Sequence, residues 1–129
     1  MIVIAYLVGL CVQKATLTVV VKNVQPGKNS VVVEIWNDEK MFFKKPFATK
    51  AMRADSSVLE FSFELPPAEY AISAYQDING NKQLDFGIFH IPKEPVAFGN
   101  NFRPKFSAPK YKDCAIHIAK SMKEEIELK

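Results

Sequence analysis

The chain is short of cysteine: it has two, Cys11 and Cys114. They stand roughly a hundred positions apart, the first inside an N-terminal apolar run, which excludes a disulfide framework. It also lacks a strong charge of either sign. Seventeen basic against fourteen acidic residues leave a surplus of +3, too small to make nucleic acid the natural partner. No apolar run approaches the roughly 20 residues of a membrane span. Also missing are a long amphipathic helical pattern, internal repeats, low-complexity tracts and any nucleophile–base–orienter set. What is present is a chain of 129 residues, 48% of them hydrophobic. That suffices to bury one core without disulfides or an obligatory metal.

Residues 1–12 carry no charge, and Ile2-Val3-Ile4-Ala5-Tyr6-Leu7-Val8-Gly9-Leu10 has the length of the apolar stretch of an export signal. We read residues 1–14 as a signal peptide or its remnant and 15–129 as a single mature domain, secreted or periplasmic. No Lys or Arg precedes the run and no small-x-small cleavage site follows it, so the alternative is a buried first strand. Leu10 stands where lipoprotein signals carry a small residue, which argues against a lipid on Cys11.

From Ala15 the pattern has period two: Leu17, Val19 and Val21 share one face, while Thr16, Thr18 and Lys22 share the other, as in a half-buried strand. Gln25-Pro26-Gly27-Lys28-Asn29-Ser30 ends it, and Val31, Val33 and Ile35 resume the alternation opposite Glu34 and Trp36. These two runs are expected to form a hairpin with a longer loop. Residues 37–57 have no clean period and read as a long connection with a short helical turn, pinned by Phe42, Phe43 and Phe47. Leu59, Phe61, Phe63 and Leu65 alternate with Glu60, Ser62 and Glu64, the clearest strand of the chain. Pro66-Pro67 stops it, because proline fixes φ and has no ladder donor. Tyr70 to Gln76 gives another strand, residues 91–109 look irregular, Cys114, Ile116 and Ile118 suggest a late strand, and Glu124 to Leu128 suggest a last one, with a helix as the competing reading. Short strands separated by turn signals predict an all-β antiparallel β-sandwich.

The combination Leu65-Pro66-Pro67-Ala68-Glu69-Tyr70, the loop 77–85, Ile91-Pro92-Lys93-Glu94-Pro95 and Phe98-Gly99-Asn100-Asn101 resembles a widespread secreted bacterial family, the domain-of-unknown-function family 2141. The resemblance runs from about Leu17 to Ile118. It implies an exported domain with an immunoglobulin-like or prealbumin-like sandwich fold and no established activity. Family members commonly carry glycine at the position of Lys82, and Tyr-Gly-Phe-Ser where this chain has Val96-Ala97-Phe98-Gly99.

Asp77-Ile78-Asn79-Gly80-Asn81-Lys82-Gln83-Leu84-Asp85 puts an oxygen-bearing side chain at every second position. Calcium takes six to eight oxygens at about 2.3–2.6 Å, and a calcium loop offers them at this spacing. The candidate ligands are Asp77, Asn79, Asn81, the backbone carbonyl of Gln83, and Asp85. Ile88 stands where the bidentate acid of such a loop belongs, and Lys82 where its turn glycine belongs. A distant acid such as Glu94, or water, must then complete the shell, with an affinity on the order of 10⁻⁴–10⁻³ M. The competing reading is a metal-free polar turn in which Asn79, Gly80 and Asn81 tolerate positive φ.

The resulting expectation is a non-enzymatic, monomeric binding or interaction module with Ca²⁺ as its one conceivable cofactor and an envelope protein or glycan as partner. Two alternatives remain open. A carbohydrate-binding surface would use Trp36 and the phenylalanine-rich basic loops; an envelope hydrolase would use His90 and Glu94 with Asp85. For Trp36 the rival reading is burial under the loop that follows it, for His117 an outward-facing strand position, and for Cys114 a packed small hydrophobe.

Overall fold

The computed structural model describes residues 13–80, 94–105 and 107–129. Eight strands lie among them, in two sheets. The first sheet has β1 (Ala15–Lys22) at its centre, β4 (Leu59–Leu65) antiparallel on one side and β8 (Met122–Glu127) parallel on the other. The second sheet contains β3 (Ala48–Arg53), β2 (Ser30–Trp36) and β5 (Ala68–Asp77), in that order. The far edge of β5 is shared by β6 (Val96–Phe98) and β7 (Ala115–Ile118).

The alternation explains the layering. Leu17, Val19 and Val21 of β1, with Phe61 and Phe63 of β4, meet Val31, Val33 and Ile35 of β2 and Ile72 and Ala74 of β5 in one buried cluster. This is the packed interior of a β-sandwich. A second cluster covers part of the outer face of the five-stranded sheet: Trp36, Ala71, Tyr75, Phe98, Tyr111 and Cys114, with Phe42 and Phe43 laid over them. Gly99 belongs to this packing, since a Cβ there would lie 2.1 Å from the Cys114 carbonyl oxygen. The start of β5 is pinned by the Tyr70 hydroxyl, which donates to the Pro66 carbonyl at 2.5 Å.

Several expectations are corrected. β1 and β2 do not form a hairpin, because they belong to different sheets. Asn23 turns aside at φ 62, and the backbone of the connection bonds instead to the segment joining β3 to β4: Val24 N–H to Ser57 at 3.0 Å and Gly27 N–H to Ala54 at 2.9 Å. Alternation told which face each strand buries, not which strand it pairs with. The long connection does contain a short 3₁₀ turn, Glu39–Met41, but it also contains β3, whose residues are nearly all exposed. This edge strand is held by its ladder to β2, not by burial, so it leaves no hydrophobic period. Its Lys50 ammonium lies 5.2 Å from the Phe63 ring centroid and donates to the Ser62 carbonyl of β4.

The sandwich is not wholly antiparallel, since β8 runs parallel to β1. The tail is a strand and not a helix. Cys114 closes one helical turn, α1 (Tyr111–Cys114), instead of opening β7. Within the stretch read as irregular, β6 pairs with β5 over three residues.

Candidate functional site

The exit of β5 is tied to its surroundings by a buried side chain and by backbone hydrogen bonds. Gln76 is fully buried, and its side chain is satisfied at both ends. Its amide nitrogen donates to the Gln25 carbonyl at 2.6 Å and to Asn29 Oδ1 at 2.7 Å, while its oxygen accepts from Gln25 N–H at 3.0 Å. This clip fastens the β1–β2 crossover to β5. The Gln76 backbone N–H donates to the Pro95 carbonyl at 3.0 Å, and Val96 exchanges two backbone hydrogen bonds with Lys129. Arg103 Nη1 donates to the Val96 carbonyl at 2.8 Å. Residues 94–96 are therefore held from both sides, beside the residue that follows Gln76.

That residue is Asp77, 4% exposed, and its companion is Glu94, 8% exposed. Glu94 Oε2 accepts a hydrogen bond of 2.8 Å from Ile78 N–H, so its carboxylate lies against the peptide that joins Asp77 to Ile78. Glu94 Oε1 is buried and has no hydrogen-bond partner among the described residues. A buried carboxylate oxygen left in this way is costly unless a cation or donor meets it. Gly80 takes φ +74, a left-handed turn that glycine adopts without strain; Asn79 is not among the positive-φ residues.

Of the five ligands expected from the sequence, Asp77 and Asn79 stand here, and Asn81, Gln83 and Asp85 lie outside the described residues, as do Lys82 and the whole of the export-signal reading before Gln13. Among the described residues no group of three or more His, Cys, Asp or Glu converges. The pair Asp77 and Glu94 is thus the acidic part of the site that the described residues contain.

The same loop forms one end of a cleft of about 680 Å³ on the outer face of the second sheet. Its floor comes from alternate residues of three strands: Ser30, Val32 and Glu34 of β2, Thr49 and Ala51 of β3, and Tyr75 of β5; Lys28 and Asn29 stand on the rim, and Asp77 to Gly80 close the end. Glu34 is the cleft's second acid. It is half-buried, no ion pair or hydrogen bond meets its carboxylate among the described residues, and burial raises its pKa above the usual carboxylate value. Sequence reasoning took Glu34 for a plain outward-facing strand residue and passed over Gln76. The signal for Glu34 was a single acid inside the otherwise apolar run Val31–Ile35; Gln76 carried none, because its partners are about 50 residues away in the chain.

Trp36 is 2% exposed. Phe42 and Phe43 stand edge-on to it at 5.4 and 5.7 Å between centroids, and its indole N–H donates to Ser73 Oγ at 2.9 Å. The loop that follows Trp36 covers it, so this ring offers no stacking platform. Of the residues invoked for hydrolysis, His90 and Asp85 lie outside the described residues, while Glu94 is engaged by Ile78. His117 is exposed and Cys114 fully buried. Burial, with a smaller contribution from Asp113, pushes the Cys114 thiol up to about 12, which makes it inert. No helix among the described residues is long and apolar enough to cross a membrane.

Residues 19–127 match the model of the bacterial family DUF2141, described as an uncharacterized protein conserved in bacteria. No curated protein and no solved structure matches the chain.

Proposed function

Because the chain belongs to the DUF2141 family, we propose that it is an exported, non-catalytic binding module of the bacterial envelope in which the loop after β5 is fixed by a hard divalent cation of the Ca²⁺ type. The observation that carries this reading is the placement of Glu94. The loop itself lacks the acid that completes a calcium shell, and Glu94 brings a buried carboxylate to the Asp77–Ile78 peptide with one oxygen unmet. Asp77 and Glu94 would supply the negative charge, and Asn79 with backbone carbonyls and water the remaining oxygens.

The role of such an ion is positional. It would neutralise two carboxylates that are each more than nine-tenths buried and lock the exit of β5 to the start of β6, where Gln76 already bonds to Pro95. The end wall of the cleft would then keep one shape. At 10 mM Ca²⁺ and a dissociation constant of about 10⁻⁴–10⁻³ M, selective binding to the folded state adds about 1.4–2.7 kcal/mol of stability. Thermal melts in Ca²⁺ and in EDTA test this, with a rise of several degrees expected in Ca²⁺. Identical midpoints across millimolar Ca²⁺ and Mg²⁺ would remove the cation from the account.

A further inference from the structure

We propose that the cleft on the outer face of the second sheet binds a primary ammonium group carried on an unbranched aliphatic stem, with Glu34 as its counter-ion. This deepens the reading of the protein as a binding module by naming a ligand class, and it does not depend on the cation at Asp77 and Glu94.

The argument begins with what surrounds Glu34. It lies near the middle of β2, opposite Thr49 of β3 and Ser73 of β5 in the ladder. The Ser73 hydroxyl oxygen already accepts from Trp36. The basic residue adjacent to Thr49, Lys50, points to the other side of the sheet and is engaged by Ser62 and Phe63. The basic residue of the cleft rim, Lys28, belongs to the opposite end. From Ser30 to Glu34 is four strand residues, or about 13 Å. Among the described residues Glu34 therefore has no cation of its own, in a cleft whose walls partly strip it of water. An acid in that position costs stability unless a cation compensates it.

The cleft also selects among cations. One carboxylate cannot furnish the six to eight oxygens of Ca²⁺; it can meet an ammonium or the planar fork of a guanidinium, and the hydroxyl beside it adds a single-point acceptor that suits the ammonium. An ammonium is a compact charge with three donors, suited to one carboxylate plus the Thr49 hydroxyl. On the Ser30 side of Glu34 the floor is Val32 and Ala51, apolar surface along which methylenes can lie. A volume of about 680 Å³ falls in the range of small-ligand sites. The ligand is an alkylamine or the side chain of a lysine presented by a partner polypeptide.

The test is titration of the full chain with n-pentylamine and, separately, Nα-acetyl-lysine N-methylamide, followed by NMR shifts of the Thr49 and Ala51 amides, with n-pentanol as the neutral control. Saturable millimolar binding is expected for at least one amine and none for the alcohol; binding of the lysine derivative alone identifies the polypeptide source. Glu34→Gln should weaken it at least tenfold, while Glu94→Gln should leave it within about twofold and abolish any Ca²⁺ response. Two results overturn the proposal: equal binding of alcohol and amine, or unchanged amine binding in Glu34→Gln. Loss of the Ca²⁺ effect alone leaves it intact.

Discussion

Glu94 and Ile78, sixteen residues apart in sequence, are joined by a 2.8 Å hydrogen bond from backbone amide to carboxylate. This contact brings a buried acid to the start of the loop that the alternate oxygens single out. It also makes the charge on Glu94 a liability in the absence of a cation and an asset in its presence.

Glu94→Gln keeps an acceptor for Ile78 N–H while removing the charge. In EDTA the variant should match the wild type or exceed it by about 1 kcal/mol, since the unmet carboxylate oxygen is gone. In 10 mM Ca²⁺ the order should reverse. Urea denaturation under both conditions reads the crossover, and the absence of a reversal would count against a cation here. Asp77→Asn should likewise lose the response to Ca²⁺.

Glu34 gives a pH signature. Burial raises its pKa in the folded state above the usual carboxylate value, so between the unfolded and folded values the native state holds more protons. Its contribution is fully present below the unfolded pKa and is lost as pH rises through the folded one. Relative to wild type, Glu34→Gln should therefore gain stability from pH 4 to pH 7.5. Paired urea titrations at several pH values measure the difference, and a flat one would mean that Glu34 is fully hydrated.

Gln76→Ala removes the clip and leaves part-buried groups of Gln25 and Asn29 without their partner. A loss of about 2–4 kcal/mol is expected, with faster amide exchange at Gln25 and Val96. A loss below 0.5 kcal/mol, on the order of an ordinary surface change, would show that water replaces the amide.

Two glycines should respond differently. Gly99→Ala forces a methyl against the Cys114 carbonyl and should cost roughly 2–3 kcal/mol or more. Gly80→Ala meets no atom within 4 Å, so only the left-handed φ matters, at about 1 kcal/mol. Chemical denaturation of both variants decides the order.

Cys114 should not react with a disulfide reagent at pH 8 in the native protein, because its thiol is held up to about 12 by burial. It should react on unfolding, which makes its labelling rate a probe of global opening.

Much of the layering was legible in the sequence. The alternation of Leu59, Phe61, Phe63 and Leu65 corresponds residue by residue to the burial of β4, and Pro66-Pro67 marks the turn into β5. Strand pairing was not legible. The connection around Pro26-Gly27 has the composition of a hairpin turn, yet its backbone partners are Ala54 and Ser57, which no local pattern names. β3 escaped because a strand exposed on nearly every residue has no hydrophobic period.

From the order of its residues alone, this protein is committed to short strands with defined inner faces, to the breaks between them and to an oxygen-rich loop beginning at Asp77. Those properties are local: they depend on period, on proline geometry and on side-chain chemistry at neighbouring positions. Tertiary structure alone decided that Trp36 is covered, that Gln76 clips the crossover, that Glu94 reaches Ile78 and that Glu34 stands in a cleft without a counter-ion among the described residues. Each of these depends on which segments meet in space, and that is set by the packing of two sheets against each other and by backbone hydrogen bonds between distant segments.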